Sequence, residues 1–514
     1  MAEAEPWWKT AVIYQIYPRS FADASKTGVG DLQGILGRLD HLTWLGVDAI
    51  WLSPFFPSPM HDFGYDVADY CDVDPSFGRL ADFDALVAAA HARGIRVMID
   101  WVPAHTSIEH PWFREARASR TAARRDWYVW RDPRPDGGPP NNWRAAFAKV
   151  PTWTFDPATG QFYLHSFLPE QPDLNWQNPE VRRAMHDTLR FWLDRGVDGF
   201  RADVVHNIGK HPALADVDEK IAPIPHCALN DDPVTHEYLR EIRSLLDACP
   251  GDRAMVGEVF LLQTERVAAY YGQGDELHMS FNFPPLFAAW DAQAWREQIE
   301  TSQRVFDPIG AWPTWVLSNH DQPRHRTRYG SEARARAAAV LLLTLRGTPF
   351  LYMGEELGLE NAVIPPERVV DPGGRDGCRA PIPWTESADH GWGQDPWLPW
   401  PPDAGERSVE RQLVDPDSML HLYRRLLAVR RGSRALQSGE LVLMDAPEDT
   451  LVYRRELEDE HCVVAIHFGE GETRLELAGG YRVLASSEGE RDGEGFDGTL
   501  RGDRAVVLTP RRTP

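Results

Sequence analysis

The sequence has few cysteines and no C-x-x-C pair. Its five cysteines are scattered along 514 residues: Cys71, Cys227, Cys249, Cys378 and Cys462. An odd number of widely spaced cysteines favours neither a disulfide framework nor a zinc site. We therefore expect reduced thiols and a cytoplasmic location.

Long apolar runs are also missing. The longest, 337–345, lies between two arginines and is far shorter than the ~20 residues that a membrane-spanning helix needs. The opening segment MAEAEPWWKT contains no basic stretch followed by an apolar one, so no signal peptide is expected. We predict no association with a membrane.

Basic charge is scarce. Lys and Arg number 54 against 77 Asp and Glu, which gives a formal net charge of −23. Because nucleic-acid binding depends on clustered Lys and Arg, no nucleic-acid partner is expected, whereas a neutral ligand carries no penalty. Twenty tryptophans supply flat, amphipathic rings that suit sugar faces as well as core packing.

The first three-quarters of the chain alternate between two patterns. Short β-branched and aromatic runs predict eight strands at 12–17, 48–52, 96–101, 199–203, 255–259, 277–282, 314–318 and 348–352. Between them, segments such as 82–93 and 179–195 repeat apolar residues every three or four positions, and Gly94 and Gly196 follow where helix ends are expected. Eight strands alternating with helices predict an α/β fold, a (β/α)8 TIM barrel.

The spacing departs from this alternation in two places. A long interval between strands three and four contains RDPRPDGGPPNNW and FYLHSF, which are typical of a loop and a hairpin. We assign 1–103 and 173–432 to the barrel, 104–172 to a small excursion domain after strand three, and 357–402 to a loop-like insertion.

The sequence pattern changes near the carboxyl end of the chain. A helix is predicted at 416–431, with Asp415 as its N-cap, Pro416 as its first residue and Gly432 after its end. Beyond it, 433–514 contains short strand-like runs separated by Gly, Asp and Glu turns. This pattern predicts a C-terminal all-β sandwich.

Polar residues gather where the barrel strands should end. The active site of such a barrel lies at the carboxyl ends of its strands. Those ends carry three acids, two histidines and an arginine: Asp203, Glu258, Asp321, His105, His320 and Arg201. A single strand-end acid often only braces a loop, and Asp100 is interpreted that way. The set of three acids predicts a catalytic rim.

Several segments resemble a known family. GFRADVVH, VGEV, SNHDQPR and DWVPAHTS resemble the four short motifs of the α-amylase superfamily, glycoside hydrolase family 13. WWKTAVIYQIYPRSFAD, PPNNW, QPDLNW and GRDGCRAPIPW resemble its α-glucosidase branch. The resemblance extends over nearly the whole chain. It implies cleavage of α-glucosidic bonds with retention of configuration.

The resemblance also implies catalytic roles. Asp203 would be the nucleophile, Glu258 the general acid/base, and Asp321 the third acid, which holds ring hydroxyls and favours the distorted transition state. Arg201 should keep Asp203 ionised through its nearby charge. Glu258 needs a raised pKa to carry a proton near neutral pH.

Further residues would bind one glucose. In this branch an Asp of the D-x-G-Y segment pairs with the second Arg of R-D-x-x-R and closes the site, which here implies Asp62 and Arg379. A merely structural ion pair is the alternative. Tyr65 would stack under the sugar ring. The side chains expected to bond hydroxyls or to wall the site are His105, His320, Phe147 and Phe167, with core packing as the alternative for both phenylalanines.

The sequence departs from the family pattern at the metal sites. Ala104 stands where calcium-dependent amylases have a ligating Asn. The loop Asp23–Asp31 resembles a cation loop, but Ser25 and Thr27 replace ligands and Lys26 intrudes. Two carboxylates plus hydroxyls make a poor site for Ca²⁺ or Mg²⁺. We therefore expect no required cofactor and do not favour a structural ion there.

The sequence supports one main function and leaves alternatives open. The main hypothesis is an exo-acting retaining α-glucosidase that releases or transfers glucose from the non-reducing end of short gluco-oligosaccharides or α-glucosides, which are small neutral sugar substrates. The alternative is a transglucosidase or disaccharide isomerase of the same fold. A third class, a non-catalytic carbohydrate- or partner-binding relative, would lack the complete acid set. Linkage preference, with Val204 after the nucleophile as a weak signal for α-1,6 bonds, and oligomeric state stay open.

Overall fold

A barrel of eight parallel strands forms the centre of the computed structural model, which describes residues 5–147, 150–489 and 492–511. The barrel strands, labelled β1 to β8 along the chain, are Ile13–Ile16, Ala49–Leu52, Arg96–Trp101, Gly199–Ala202, Ala254–Gly257, Met279–Ser280, Thr314–Val316 and Thr348–Tyr352. Each strand from β1 to β5 pairs with the next one along the chain, β7 pairs with β8, and β8 pairs with β1, which leaves β6 and β7 as the two edges of the sheet. All eight predicted strands are confirmed.

The barrel closes between β6 and β7 through side chains. The Thr314 hydroxyl donates to the carbonyl of Ser280 at 2.9 Å and accepts from the backbone N–H of Asn282 at 3.3 Å. The barrel strands are buried on both faces because side chains fill the interior and helices cover the outside. This explains why the strands are apolar runs without alternation.

Helices surround the barrel and follow its strands. They are Trp7–Thr10, Leu32–Gly37, Leu39–Leu45, Leu80–Ala92, Pro179–Asp194, Val234–Ala248, Thr264–Ala268, Ala292–Phe306, His325–Tyr329, Glu332–Thr344, Val409–Leu413 and Met419–Arg431. The glycines predicted to end two of them have the left-handed conformation, with φ +74° at Gly94 and +96° at Gly196. The helix predicted at 416–431 begins at Met419 instead, because the Ser418 side chain accepts from the His421 N–H and caps it.

The excursion after β3 lies against the carboxyl end of the barrel. It contains the helix Pro111–Ala118 and a three-stranded antiparallel sheet of Trp130–Arg131, Gln161–Leu164 and Trp153–Asp156. The returning chain donates from the Leu174 N–H to the carbonyl of Ala104 at 3.0 Å. This contact keeps the segment that carries His105 beside the strand ends.

The C-terminal region is an antiparallel sandwich, as predicted. After a short helix, Arg434–Ser438, one sheet has five strands: Glu440–Met444, Thr450–Leu457, Glu460–His467, Arg504–Pro510 and Tyr481–Ser486. Glu472–Arg474 and Thr499–Arg501 form a two-stranded sheet. Apolar side chains of both sheets, including Val463, Leu475 and Leu500, share one buried cluster. In the parts of the chain that the structure describes, no helix is long and apolar enough to span a membrane.

Candidate active site

A cavity of about 320 Å³ opens at the carboxyl ends of the barrel strands. Eight of the side chains predicted for the site line it: Asp62, Tyr65, His105, Phe147, Phe167, Asp203, Glu258 and Asp321. The other three, Arg201, His320 and Arg379, are buried behind its wall. The residues predicted from the ends of different strands therefore lie around one cavity.

Arg201 on β4 connects three carboxylates. Its Nη1 donates to Asp100 Oδ1 at 2.6 Å and to Asp203 Oδ1 at 2.5 Å. Its Nη2 donates to Glu258 Oε2 at 2.6 Å. Asp203 and Glu258 thus lie within the span of one guanidinium, at the wall of one cavity.

Backbone hydrogen bonds fix the two cavity carboxylates in place. The Asp203 N–H donates to the Trp101 carbonyl, and the Glu258 N–H donates to the Ala202 carbonyl, both at 2.8 Å. These bonds continue the ladders between β3 and β4 and between β4 and β5. Both side chains therefore project from the rigid barrel rim rather than from a loose loop.

The structure corrects one expectation for Asp203. Burial raises the pKa of its carboxyl well above the ordinary value, and the neighbouring charges of Glu258 and Asp100 add to the rise. Arg201 lowers that pKa, but its charge is shared among three carboxylates and does not outweigh the other effects. Because Asp203 and Glu258 contact the same guanidinium, Arg201 fixes the position of each carboxyl relative to the other.

Val204 has an unusual backbone conformation beside this pair. Its φ is +35°, in the left-handed region, which a β-branched side chain rarely adopts. Such a conformation costs on the order of 1–3 kcal/mol and persists only where the surroundings impose it. Here it directs the Val204 N–H to Glu258 Oε2 at 3.1 Å. The strained residue thereby helps to hold the Glu258 carboxyl.

Asp321 stands on the loop after β7. Its Oδ1 accepts from Arg375 Nη1 at 3.0 Å and from Arg379 Nη2 at 3.2 Å. Burial would raise the pKa of this carboxyl, but His320 and the two guanidiniums hold it well below its usual range. Asp321 is therefore ionised at neutral pH.

Tyr65 and His320 form a stacked pair under Asp321. Their rings are 5.5 Å apart and nearly parallel, and the Tyr65 hydroxyl is 2.6 Å from His320 Nε2. Burial lowers the pKa of His320 to about 3, so its ring is neutral. Gln15 Nε2 donates to Nδ1 at 2.8 Å, which assigns the ring proton to Nε2, the nitrogen 3.2 Å from Asp321 Oδ2. His320 therefore orients both the Tyr65 hydroxyl and the Asp321 carboxylate.

The cavity has a closed, polar end. Arg375 Nη2 donates to Asp62 Oδ1 at 2.5 Å. Gln171 Nε2 donates to Asp62 Oδ2 at 3.0 Å and lies 3.1 Å from His105 Nε2. Burial lowers the pKa of His105 below its ordinary value. Four polar side chains thus converge around one end of the cavity.

The predicted pairing of Asp62 with Arg379 is wrong. Arg379 is fully buried, and its Nε donates to the carbonyl of His320 at 2.8 Å while its Nη1 donates to Asp371. Arg379 ends the 3₁₀ turn Asp376–Arg379, and the first arginine of the motif, Arg375, which precedes this turn, reaches Asp62 instead. Both arginines belong to the same motif, so the residue pattern alone did not distinguish them.

Phe147 and Phe167 form a wall from the excursion. Their rings are 5.6 Å apart, and Phe167 lies 5.3 Å from the His105 ring. The Arg375 guanidinium lies 4.7 Å from the Phe147 ring centre. Both phenylalanines line the cavity.

Sequence reasoning missed other residues around the cavity. They are Gln171, His206, Cys227, Phe260, Gln322 and Arg375. Four of them lie inside segments already recognised: Gln171 in QPDLNW, His206 in GFRADVVH, Gln322 in SNHDQPR and Arg375 in GRDGCRAPIPW. Cys227 lies on an irregular loop, where no local pattern distinguishes a cavity residue from a surface one.

Hydrogen-bond donors contact both carboxylates of the loop at 23–31. Asp31 Oδ2 accepts from the backbone N–H and the hydroxyl of Ser25, at 2.9 and 2.5 Å, and Asp23 Oδ2 accepts from the Gly28 N–H at 2.7 Å. N–H and O–H donors thus occupy oxygens that a cation would need. Over the described ranges, no group of three His, Cys, Asp or Glu side chains could hold a metal ion.

The cavity has paired carboxylates and a third acid at the carboxyl end of a (β/α)8 barrel, and polar side chains close one of its ends. This arrangement defines a glycoside hydrolase. Comparison with known families agrees, because residues 15–439 match the family described as "Alpha amylase, catalytic domain". The chain belongs to this family, glycoside hydrolase family 13.

Two curated relatives align over most of their length. A probable alpha-glucosidase of Rhizobium meliloti (strain 1021) is 44% identical over 489 residues, 87% of this chain and 87% of the relative. An oligo-1,6-glucosidase of Parageobacillus thermoglucosidasius is 38% identical over 518 residues, 90% of this chain and 91% of the relative.

Solved structures are similar over the whole fold. An alpha-glucosyl transfer enzyme, XgtA, has a TM-score of 0.89 and 41% identity and covers 99% of this chain and 100% of its own. The trehalulose synthase MutB from Pseudomonas mesoacidophila MX-45 has a TM-score of 0.91 and 32% identity, with coverage of 98% and 100%.

Proposed function

We propose that the protein is an exo-acting, retaining α-glucosidase of short gluco-oligosaccharides or α-glucosides. The observation that carries the proposal is the position of Asp203 and Glu258 on one guanidinium, at a cavity whose far end is closed by Asp62 and Arg375. The names of both curated relatives and of the transfer enzyme support an α-glucosyl substrate.

In the first step, the Asp203 carboxylate attacks C1 of the bound glucose. Glu258 acts as the general acid and donates a proton to the departing oxygen. Retaining enzymes hold these two groups ~5–5.5 Å apart, and a shared guanidinium enforces such proximity. Arg201 is a positioning residue here, since it orients both carboxylates.

In the second step, the roles of Glu258 reverse. An incoming hydroxyl attacks C1 of the glucosyl ester on Asp203 and gives its proton to the Glu258 carboxylate. Water as acceptor yields glucose, and a sugar or other alcohol yields a transfer product. The printed names of XgtA and MutB support transfer as a second candidate activity.

The closed end limits the site to one glucose. Asp62, Arg375 and His105 would bond its hydroxyls, and Tyr65 would contact its ring face. Asp321 is held ionised and would bond ring hydroxyls as positive charge develops at C1. The buried Asp62–Arg375 pair would block the ring of a second sugar at this end, so cleavage would release single glucose units.

The proposed reaction requires no cofactor. The side chains of the catalytic rim supply the nucleophile, the acid and the charge stabilisation. All five cysteines lie in the part of the chain that the structure describes, and none is in a disulfide. A reducing compartment such as the cytoplasm suits these thiols.

The proposal is tested with maltoheptaose and isomaltotriose, followed by proton NMR and chromatography. We expect glucose and the oligosaccharide shortened by one unit, with α-glucose as the first anomer observed. A β-anomer would contradict retention, and mid-chain products would contradict exo action. Asp203→Asn serves as the inactive control.

A further inference from the structure

The cavity differs in chemistry between its two ends. At the closed end, charged and polar side chains converge, with Asp62 and Arg375 in an ion pair. The other end, beside Glu258, is lined by apolar side chains, which we call the acceptor wall: Val204, Pro225, Cys227, Ala228 and Phe260.

Contacts connect the acceptor wall to Glu258. Val204 donates its N–H to Glu258 Oε2, and Phe260 lies two residues beyond Glu258 on the same chain segment. His206 Nε2 is 2.6 Å from the Cys227 carbonyl, and its Nδ1 is 3.3 Å from the Glu258 carbonyl. Since Glu258 exchanges a proton with the departing or entering oxygen, the acceptor wall surrounds the partner of the glucose.

Polar groups are few at this end. Both nitrogens of His206 are already engaged with carbonyls. Burial raises the pKa of the Cys227 thiol to about 12, so this side chain stays neutral and behaves as a small apolar group. Among the described residues at this end, Gln322 adds an amide. A sugar acceptor presents several hydroxyls, which need several partners once water is removed.

The surface beyond the acceptor wall is also apolar. Three large apolar side chains close to it are exposed: Ile224, which precedes Pro225, and Leu262 and Phe287, which lie near Phe260. The Phe287 ring is 6.5 Å from the Phe260 ring, and Leu262 is 57% exposed two residues beyond Phe260. Exposed apolar side chains grouped around a cavity mouth indicate an apolar ligand.

We infer that the open end is a subsite for a flat apolar alcohol, such as an aryl alcohol, rather than for a second sugar. This inference rests on the proposed glucosyl-enzyme. The alcohol oxygen bonds to C1 as the ester bond between C1 and Asp203 breaks. Its proton moves to the Glu258 carboxylate, and Asp203 leaves as a carboxylate. The product is an aryl-alkyl α-glucoside.

The test is a competition between two acceptors. The protein receives α-glucosyl fluoride, whose leaving group is no acceptor, with benzyl alcohol and methyl β-glucoside at equal concentration. Fluoride release reports formation of the glucosyl-enzyme, and chromatography reports the two transfer products. We expect benzyl α-glucoside to form about tenfold faster than the disaccharide, because one good aromatic contact is worth up to ~1.5 kcal/mol.

Single substitutions show which side chains produce the preference for benzyl alcohol. Phe260→Ala should lower the product ratio about fivefold, and the exposed Leu262→Ser about twofold, since each loses apolar contact with the ring. Phe155→Ala, at an exposed position on the excursion sheet, is the matched control and should leave the ratio unchanged.

Two results would overturn the inference alone: fluoride release with the disaccharide as the faster product, or an unchanged ratio in both variants. Absence of fluoride release from folded protein would instead overturn the proposed function, and this inference with it.

Discussion

Arg375 donates to the Asp62 carboxylate at 2.5 Å, while Arg379, four residues later, donates to Asp321 from behind the cavity wall. The two arginines of one motif therefore have separate tasks. Arg375 closes the cavity, and Arg379 supports a side chain that lines it. Asp321 connects them, because it accepts from both.

Asp62→Asn should weaken substrate binding. The substitution keeps the shape but removes the charge that pairs with Arg375, and truncating one partner of a buried pair leaves the other unpaired. We expect KM for maltose to rise at least about tenfold, with a smaller effect on kcat. Steady-state kinetics measure both.

Asp69→Asn is the matched control, since Asp69 is exposed on the same loop. Equal KM values for Asp62→Asn and wild type would contradict the assigned role of the closed end. Circular dichroism verifies that both variants fold.

Arg201→Lys should impair catalysis rather than binding. A lysine ammonium lacks the planar fork that contacts three carboxylates at once. Removing a preorganised donor from an active site commonly costs 10²–10³ in kcat, and we expect a loss of about 100-fold here.

The pH dependence of kcat/KM distinguishes this positioning role of Arg201 from a merely structural role. Arg201 opposes the rise in the pKa of Asp203, and a misplaced ammonium opposes it less. The acid limb of kcat/KM should therefore move to higher pH in Arg201→Lys. An acid limb at the wild-type position, or one at lower pH, would contradict the shared-guanidinium arrangement.

The sequence predicted the barrel because its signals are local. Each barrel strand is a short apolar run, and glycines mark the ends of helices such as Pro179–Asp194. The helix start at Met419 was missed because both Asp415 and Ser418 are good N-caps, and only tertiary packing selects one.

The site could be predicted only for side chains whose direction is set by the geometry of the barrel strands. Asp203 and Glu258 follow strands, and so their side chains had to meet at the rim. The partner of Asp62 depends on a 3₁₀ turn in an irregular insertion, and propensity does not encode such a turn. The raised pKa of Asp203 follows from its burial and from the nearby charges of Glu258 and Asp100, which spacing along the chain does not reveal.

Glu355 should make stability depend on pH. Burial raises the pKa of Glu355 to about 8 and that of Glu356 to about 7, from an ordinary value of 4.5. Between pH 4.5 and 8 the unfolded chain releases protons that the folded chain keeps. The free energy of unfolding therefore falls as pH rises, by at most ~1.4 kcal/mol per pH unit for each group.

Glu355→Gln removes its share of this dependence. Between pH 5.5 and 7.5 we expect the Tm of this variant to fall less than that of the wild type, as measured by calorimetry. Glu367→Gln, at an exposed position in the same region, should behave like the wild type. Parallel Tm curves for Glu355→Gln and wild type would show that the buried carboxyl does not titrate as described.

Chelation should leave the protein unchanged. We propose that the loop at 23–31 binds no structural cation, because Ser25 and Gly28 donate to its carboxylates. A ligand that binds only the folded state raises Tm, and excess chelator or added Ca²⁺ should therefore shift Tm by less than ~1 °C. A fall of several degrees with chelator, reversed by Ca²⁺, would refute this.

The central claim is that Asp203 forms a covalent bond to glucose while Glu258 handles the proton. The most direct measurement is to trap the intermediate with a fluorinated α-glucosyl donor that esterifies the nucleophile and hydrolyses slowly, and then to sequence the labelled peptide by mass spectrometry. The account predicts one glucosyl ester, on Asp203. A label on Glu258 or Asp321, or no label on protein that still releases glucose, would contradict it.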